Sequence, residues 1–152
     1  MEQGVRSVGS SDNTMNDDAN KPSVLLVEDD PETQTDLARA LTESGARVVG
    51  TGSGEAALAL MREWPAGVVV VSDTIRGMSG LEVARRIHAS SPGVPIVLMS
   101  ERPHGEEDEK ANEAKAIAAR LAGVFATLMR PFDRRMLAEL VVAMAVASDV
   151  LV

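Results

Sequence analysis

The sequence predicts an α/β fold in which five parallel strands alternate with five helices in one doubly wound sheet. The first observation is a run of four valines at residues 68–71 without polar alternation, which is typical of a strand buried on both faces of a parallel sheet. The second is the alternation of short apolar runs with segments of helical periodicity along residues 23–147. Such alternation predicts right-handed crossovers and helices on both faces of the sheet.

The predicted elements are delimited by residues that start and stop helices. Asp30 is a candidate N-cap before Pro31 at the first helical position, and Gly45 ends this helix. Ser53 is placed to cap the second helix, which Pro65 closes. The other helices are predicted over residues 81–89, about 106–121 and about 134–147. The strands are predicted over residues 24–27, 47–51, 68–71, 96–99 and 124–128.

The two last predicted helices differ in their apolar faces. The helix at 106–121 begins with acidic residues and has a weak apolar stripe, formed by Ala111, Ala114, Ala118 and Leu121. The last helix carries only one charge from residue 136 to residue 147, at Glu139. Its predicted core positions are Leu137, Leu140, Val141 and Met144, which leaves Met136, Ala143, Val146 and Ala147 on other faces. We therefore expect the last two helices and the last strand to contact a partner or a second copy; the alternative is a simple alanine-rich composition on a lightly exposed face.

Length and composition indicate one domain with flanking segments. The chain has 152 residues, of which 45% are hydrophobic, and this suffices for one full core. Residues 1–22 are too polar to offset the entropy of ordering, so they are predicted to form a disordered N-terminal tail. The domain is expected to span residues 23–147, and residues 148–152 are expected to form a short C-terminal tail.

Charge and hydropathy argue against several classes of partner. The net charge of −8 and the pI near 4.7 do not favour contact with a phosphate backbone, so no nucleic-acid partner is expected. No apolar run approaches the roughly 20 residues of a membrane span, and the first residues lack the apolar core of a signal peptide. The chain has no cysteine. These features predict a cytoplasmic protein without a membrane partner.

Acidic residues follow two of the predicted strands at the point where each strand ends. Glu28, Asp29 and Asp30 follow the first strand, and Asp73 follows the third. The carboxyl ends of parallel strands meet at one edge of the sheet, where close carboxylates repel unless a cation neutralises them. Mg²⁺ suits one or two carboxylates with phosphate and water. The alternative is that Asp30 only caps the first helix, and that Glu28 and Asp29 are merely favoured by the positive end of the helix dipole.

The chain resembles the receiver domains of two-component response regulators. The matching segments are residues 24–31, 69–73, 77–82, 95–100 and 130–132, which occur in the family's order. The resemblance implies a flavodoxin-like fold in which Asp73 accepts a phosphoryl group from a histidine kinase or phosphotransfer protein and thereby regulates protein–protein interaction. It also implies that Glu28, Asp29 and Asp73 bind Mg²⁺, that Ser100 contacts the phosphoryl oxygens, and that Arg130 pairs with the phosphate.

The position of the phosphoryl acceptor is open at this point. Receivers usually place the acceptor eight residues before a turn glycine, and eight residues before Gly80 lies Ser72, whereas Asp73 lies seven before it. Either Asp73 is the acceptor and the loop after it has lost a residue, or Ser72 replaces the acceptor and Asp73 points to the other side. We favour Asp73, because loops absorb deletions more readily than strands do.

Three further departures concern the switch. Arg130 stands where the family has lysine, and a planar guanidinium differs from a compact ammonium at a tight phosphoryl site. Thr127 stands where the family has an aromatic residue, and residues 100–130 include about two extra helical turns. The alternative function is therefore a pseudo-receiver that binds protein independently of phosphorylation. A phosphatase that uses Asp73 is disfavoured, because Ile75 occupies the place of its second carboxylate.

Overall fold

The computed structural model describes residues 21–101 and 108–151 as a five-stranded parallel sheet with helices on both faces. The strands are β1 (Ser23–Val27), β2 (Arg47–Thr51), β3 (Val68–Ser72), β4 (Ile96–Ser100) and β5 (Ala126–Met129). The helices are α1 (Pro31–Glu43), α2 (Gly54–Glu63), α3 (Gly80–Ser90), α4 (Asp108–Leu121) and α5 (Arg134–Leu151). Residues 1–20, most of the predicted N-terminal tail, lie outside the described residues.

The strand order confirms the predicted fold class. The sheet runs β2-β1-β3-β4-β5, and every neighbouring pair is parallel. This order is that of flavodoxin-like sheets, in which ligands bind outside the carboxyl ends of the strands where the order reverses. Val71 of β3 lies opposite Val27 of β1 on one side and opposite Leu98 of β4 on the other. The residues that follow β1, β3 and β4 therefore emerge at the same edge.

Two apolar cores lie on the opposite faces of the sheet. Alternate residues of β3 point to opposite faces, so Val68 and Val70 enter one core and Val69 and Val71 enter the other. Helices α1 and α5 cover the first core, and α2, α3 and α4 cover the second. All five residues of β3 are buried, as the valine run predicts. Burial on both faces makes β3 a rigid support for the residue that follows it.

The helix caps agree with the prediction, whereas the apolar face of α4 does not. The side chains of Asp30 and Ser53 accept hydrogen bonds from the backbone N–H groups of Thr33 and Ala56 at the starts of α1 and α2. In α4 the buried residue is Ala119, and Ala122 is buried directly after the helix. The predicted stripe of Ala111, Ala114, Ala118 and Leu121 is exposed instead, so that prediction was wrong. Alanines occur all around this helix, and their spacing alone did not identify the face that packs.

The last helix is longer than predicted and differs at one core position. Helix α5 continues to Leu151, so residues 148–151 extend it instead of forming a separate tail. Leu137 and Val141 are buried as predicted, but Leu140 is 38% exposed, and Ala138 and Ala145 pack in its place. Within residues 21–101 and 108–151, no helix combines the length and the apolar composition needed to cross a membrane.

Candidate functional site

The candidate site lies at the carboxyl edge of the sheet, where Asp73 follows β3. The backbone N–H of Asp73 donates to the carbonyl of Met99 at 2.9 Å, so Asp73 is still held against β4 beyond the last residue of β3. In the same way, the backbone N–H of Arg130 donates to the carbonyl of Ser100 at 2.8 Å. Asp73, Ser100 and Arg130 are thus positioned by the sheet itself, which fixes their backbones more rigidly than free loops would.

The loop between Asp73 and α3 is short and tightly closed. Gly77 has a φ of +85°, a conformation that favours glycine, and it turns the chain back toward the sheet. Helix α3 then starts directly above the end of β3. A Cβ on Gly80 would lie 2.2 Å from the carbonyl oxygen of Ser72 and 2.7 Å from Cα of Asp73. Only glycine fits there, because the N-terminus of α3 lies against the end of β3.

The carboxylate of Asp73 is held by a hydroxyl and an ammonium group. Its Oδ2 accepts a hydrogen bond from Ser100 Oγ at 2.7 Å and one from Lys115 Nζ at 3.1 Å. The Asp73 side chain is 11% exposed, whereas that of Lys115 is 52% exposed. The carboxylate is therefore reachable from solvent, and a neighbouring cation partly neutralises its charge.

Ser72, the other candidate acceptor, lies in a closed environment. It is 1% exposed and belongs to the face of β3 that packs under α1 and α5. Its Oγ lies 3.4 Å from Nη2 of Arg130 and 3.4 Å from Oγ1 of Thr74. Asp73 and Ser72 thus point to opposite sides of the strand, and only Asp73 lies beside Ser100.

Arg130 is engaged by carboxylates other than Asp73. Its Nη2 lies 2.9 Å from Oε1 of Glu28, whose side chain is only 5% exposed, and its Nε lies 3.6 Å from Oε1 of Glu101. The guanidinium also lies over the ring of Phe132, 5.8 Å from its centroid. Among the described residues, Arg130 makes no hydrogen bond or ion pair with Asp73. In this structure the shortest ion pair of Arg130 is the one with Glu28.

The other acidic residues after β1 are held by nearby N–H groups. Oδ2 of Asp29 accepts the backbone N–H of Arg76 at 2.9 Å, and Nε of the same arginine lies 3.7 Å away. Hydrogen bonds from the side chain and backbone of Thr33 hold the pKa of Asp30 below its usual value. Asp30 is thus the helix cap, whereas Asp29 reaches across to the loop after β3.

The oxygen donors at this edge fit a magnesium site in type, although three acidic side chains do not converge. Within the part of the chain that the structure describes, no group of three or more His, Asp or Glu residues is arranged to hold a metal ion. Mg²⁺ usually needs only one or two carboxylates besides water and phosphate, and Asp29 and Asp73 follow adjacent parallel strands. The Glu28 carboxylate forms an ion pair with Arg130 and accepts a hydrogen bond from the backbone N–H of Asp30. The predicted metal set of Glu28, Asp29 and Asp73 stays a prediction.

Lys115 is the residue of this site that the sequence did not reveal. A lysine on a charged helix is typical of a solvated surface, and no motif near it indicates a ligand. It also borders a cavity of about 110 Å³ that reaches Thr127 and Leu81. The one available signal was its spacing, since Lys115 lies four residues before the buried Ala119 of α4 and seven before Ala122, which is buried directly after the helix.

Comparison with known proteins shows the family to which this fold belongs. Residues 24–142 match the family model described as the response regulator receiver domain. The chain is 41% identical over 81 residues to the transcriptional regulatory protein AfsQ1 of Streptomyces coelicolor, which covers 53% of this chain and 36% of that protein. It is 30% identical over 117 residues to the transcriptional regulatory protein GlrR of Escherichia coli, which covers 76% of this chain and 24% of that one. The chain thus spans about a third or less of these relatives.

Solved structures of the same fold are numerous. A response regulator receiver domain protein (CheY-like) from Methanospirillum hungatei superposes with a TM-score of 0.76 and 17% identity, over 88% of this chain and all of that one. A putative response regulator from Chloroflexus aurantiacus gives a TM-score of 0.70 and 22% identity, over 83% of this chain and 99% of that one. These likenesses concern the fold, and the family model covers most of the sequence. The chain belongs to the response regulator receiver domain family.

Proposed function

We propose that the chain is a phosphoryl-accepting receiver in which Asp73 takes a phosphoryl group from a histidine kinase or a phosphotransfer protein. The observation that carries this proposal is the position of the Asp73 carboxylate, 2.7 Å from the Ser100 hydroxyl and 3.1 Å from the Lys115 ammonium. These two groups donate where the oxygens of a phosphoryl group on Asp73 would come to lie. Ser72 is a poor acceptor, because its hydroxyl is 1% exposed.

The reaction needs little from the protein beyond placement and charge. A carboxylate oxygen of Asp73 forms a bond to phosphorus while the phosphorus–nitrogen bond of a phosphohistidine breaks. The electron pair of that bond stays with the imidazole, which binds a proton, and an acyl phosphate remains on Asp73. The negative charge on the transferring group is stabilised by donors already in place, and this is the main contribution of a protein to phosphoryl transfer.

Magnesium belongs to this proposal. Asp29 and Asp73 would hold the ion, with Glu28 contributing through water, and the ion would neutralise charge on the phosphoryl oxygens. Titration of the protein with Mg²⁺ in the millimolar range should shift the NMR signals of the loops that follow β1 and β3. If these signals stay unchanged at tens of millimolar, the metal site is wrong.

Phosphoryl uptake tests the acceptor directly. With acetyl phosphate and Mg²⁺, intact-mass spectrometry should show one added phosphoryl group on the wild type and on Ser72→Ala, and none on Asp73→Asn. Uptake by Asp73→Asn that is lost in Ser72→Ala would instead assign the modified residue to Ser72. If the wild type takes up no phosphoryl group from acetyl phosphate or from any kinase tried, the domain is a pseudo-receiver.

We also propose that the surface formed by α4, β5 and α5 contacts a second copy or a protein partner. All of the large hydrophobic side chains that are exposed in residues 21–101 and 108–151 lie on or beside these elements: Ile117, Leu121, Phe125, Met136, Leu140 and Val146. Several exposed apolar groups on consecutive elements are typical of an interaction surface. This supports the expected partner surface, although the sequence had assigned Leu140 to the core.

Sedimentation velocity tests this surface. Met136→Glu combined with Val146→Glu should abolish association and leave the circular dichroism spectrum and melting temperature near those of the wild type, because both side chains are exposed. A wild type that stays monomeric at high concentration, together with a double variant that still signals in cells, would contradict the proposal.

The names of the matched relatives describe functions that this domain alone does not show. The names of the matched relatives describe transcriptional regulatory proteins, and another relative is named virulence sensor protein BvgS, of which this chain spans 6%. The expectation of no nucleic-acid partner rests on the charge of this chain alone. Its cytoplasmic location likewise stays a prediction.

A further inference from the structure

We propose that Lys115, on α4, is the cation that binds the phosphoryl group on Asp73, in place of the residue that precedes Pro131. This inference rests on the proposed function of Asp73 as the acceptor. Lys115 Nζ lies 3.1 Å from Oδ2 of Asp73 and 3.5 Å from Oγ of Ser100. Lysine and serine thus converge on the same carboxylate oxygen, and both would remain next to a phosphoryl group bound there.

The position of Lys115 follows from the way α4 packs. Helix α4 packs on the sheet through Ala119, and Ala122 packs directly after the helix. Lys115 lies on the same face as Ala119 because it precedes it by four residues. Helical side chains lean toward the N-terminus, and the aliphatic stem of lysine runs along apolar surface while the ammonium reaches a polar site. The neighbouring Ala116 lines the same cavity as Asp73 and Ser100, so this part of α4 borders the acceptor.

Arg130 is not free to take this role. Its guanidinium lies 2.9 Å from the carboxylate of Glu28, a side chain that is 5% exposed. Without Mg²⁺, movement of Arg130 to Asp73 would leave Glu28 as a buried charge without its cation, and this is costly. Lys115 forms no ion pair with another buried carboxylate, because Asp73 and Ser100 are its only partners among the described residues.

The chemistry of lysine also suits the site. A compact ammonium donates up to three hydrogen bonds and can follow an oxygen from the free carboxylate to the phosphoryl group, whereas the planar guanidinium needs a fixed geometry. The half-exposed side chain leaves room for the incoming group. Because Lys115 belongs to α4, the phosphoryl group would bind this helix directly, next to the exposed Ile117 and Leu121 of the partner surface.

The experiment compares Lys115→Ala with Lys115→Arg and with a matched control, Lys110→Ala. Lys110 is an exposed lysine of the same helix, so its removal changes the net charge equally without touching Asp73. Two quantities are measured: the affinity for beryllofluoride with Mg²⁺, a stable mimic of the bound phosphoryl group, and the rate of phosphoryl uptake from acetyl phosphate. Lys115→Ala should lower both by about tenfold or more, as expected for the loss of one charge within about 4 Å in a half-exposed site. Lys115→Arg should recover part of the loss, and Lys110→Ala should match the wild type.

A second readout reports contact directly. In the wild type, beryllofluoride should slow acetylation of Lys115 by an amine-reactive ester, measured by mass spectrometry, and should leave Lys110 unchanged. Wild-type binding with an unaffected Lys115→Ala, or without protection of Lys115, would overturn the role of Lys115 while the proposed function stands. Failure of the wild type to bind beryllofluoride or accept phosphoryl would overturn the proposed function itself, and Lys115 with it.

Discussion

Replacement of Arg130 by methionine should destabilise the domain more than any change at Lys115. Methionine keeps the length and much of the volume of the side chain but removes the cation 2.9 Å from Glu28. Breaking a buried ion pair typically costs about 3–5 kcal/mol, because the remaining charge has no partner. Oε2 of Glu28 keeps the backbone N–H of Asp30 at 3.1 Å, so we expect the lower end of this range, about 3 kcal/mol. This loss corresponds to a decrease in melting temperature of roughly 10 °C.

The assay is urea denaturation followed by circular dichroism in the absence of Mg²⁺, so that metal binding does not contribute. Lys115→Met is the matched control, and it should cost less than about 1 kcal/mol because its ion pair with Asp73 is half exposed. Combining Arg130→Met with Glu28→Gln should restore at least half of the lost stability, because no charge is then left buried. A loss below about 1 kcal/mol for Arg130→Met alone would refute this reasoning. The ion pair with Glu28 would then be too weak to keep Arg130 from moving to Asp73.

Three other predictions concern the loop, the surface and the switch. Gly80→Ala should destabilise the domain by about 1–3 kcal/mol in urea denaturation, because its Cβ would meet backbone at 2.2 Å, whereas Gly93→Ala, with nothing within 4 Å, should be near neutral. Hydrogen bonds from Arg85 and, to a smaller extent, from Arg86 lower the pKa of Glu82 from 4.5 to about 2, so any stabilisation is complete above pH 4.5 and is lost as the pH falls toward 2. In an NMR titration, Arg85→Ala should move this pKa part of the way back up, and equal values in both proteins would contradict the assignment. Beryllofluoride should slow hydrogen exchange within residues 100–132 without spreading into α5, because β5 has no aromatic side chain to couple them, and strong protection of α5 would show an intact switch.

The fold and the edge that carries the site could be predicted from the sequence because both depend on local patterns. The valine run of β3, the caps at Asp30 and Ser53, and the alternation of strands with helices are local features, and the structure agrees with each. Parallel strands place their carboxyl ends together whatever the details of the loops. Asp73 and Ser100 therefore meet as expected.

The pairing of charges at that edge was decided only by the tertiary structure. Sequence resemblance assigned Arg130 to the phosphate, yet the fold places it on Glu28 and brings Lys115 to Asp73 from a helix 42 residues away. Long flexible side chains reach several partners from one backbone position, so their contacts depend on which neighbours are buried and which face of α4 packs. Residue spacing determines where a helix forms, whereas the rotation of α4 onto Ala119 and Ala122 is set by packing against the sheet. That rotation places a lysine beside the Asp73 carboxylate.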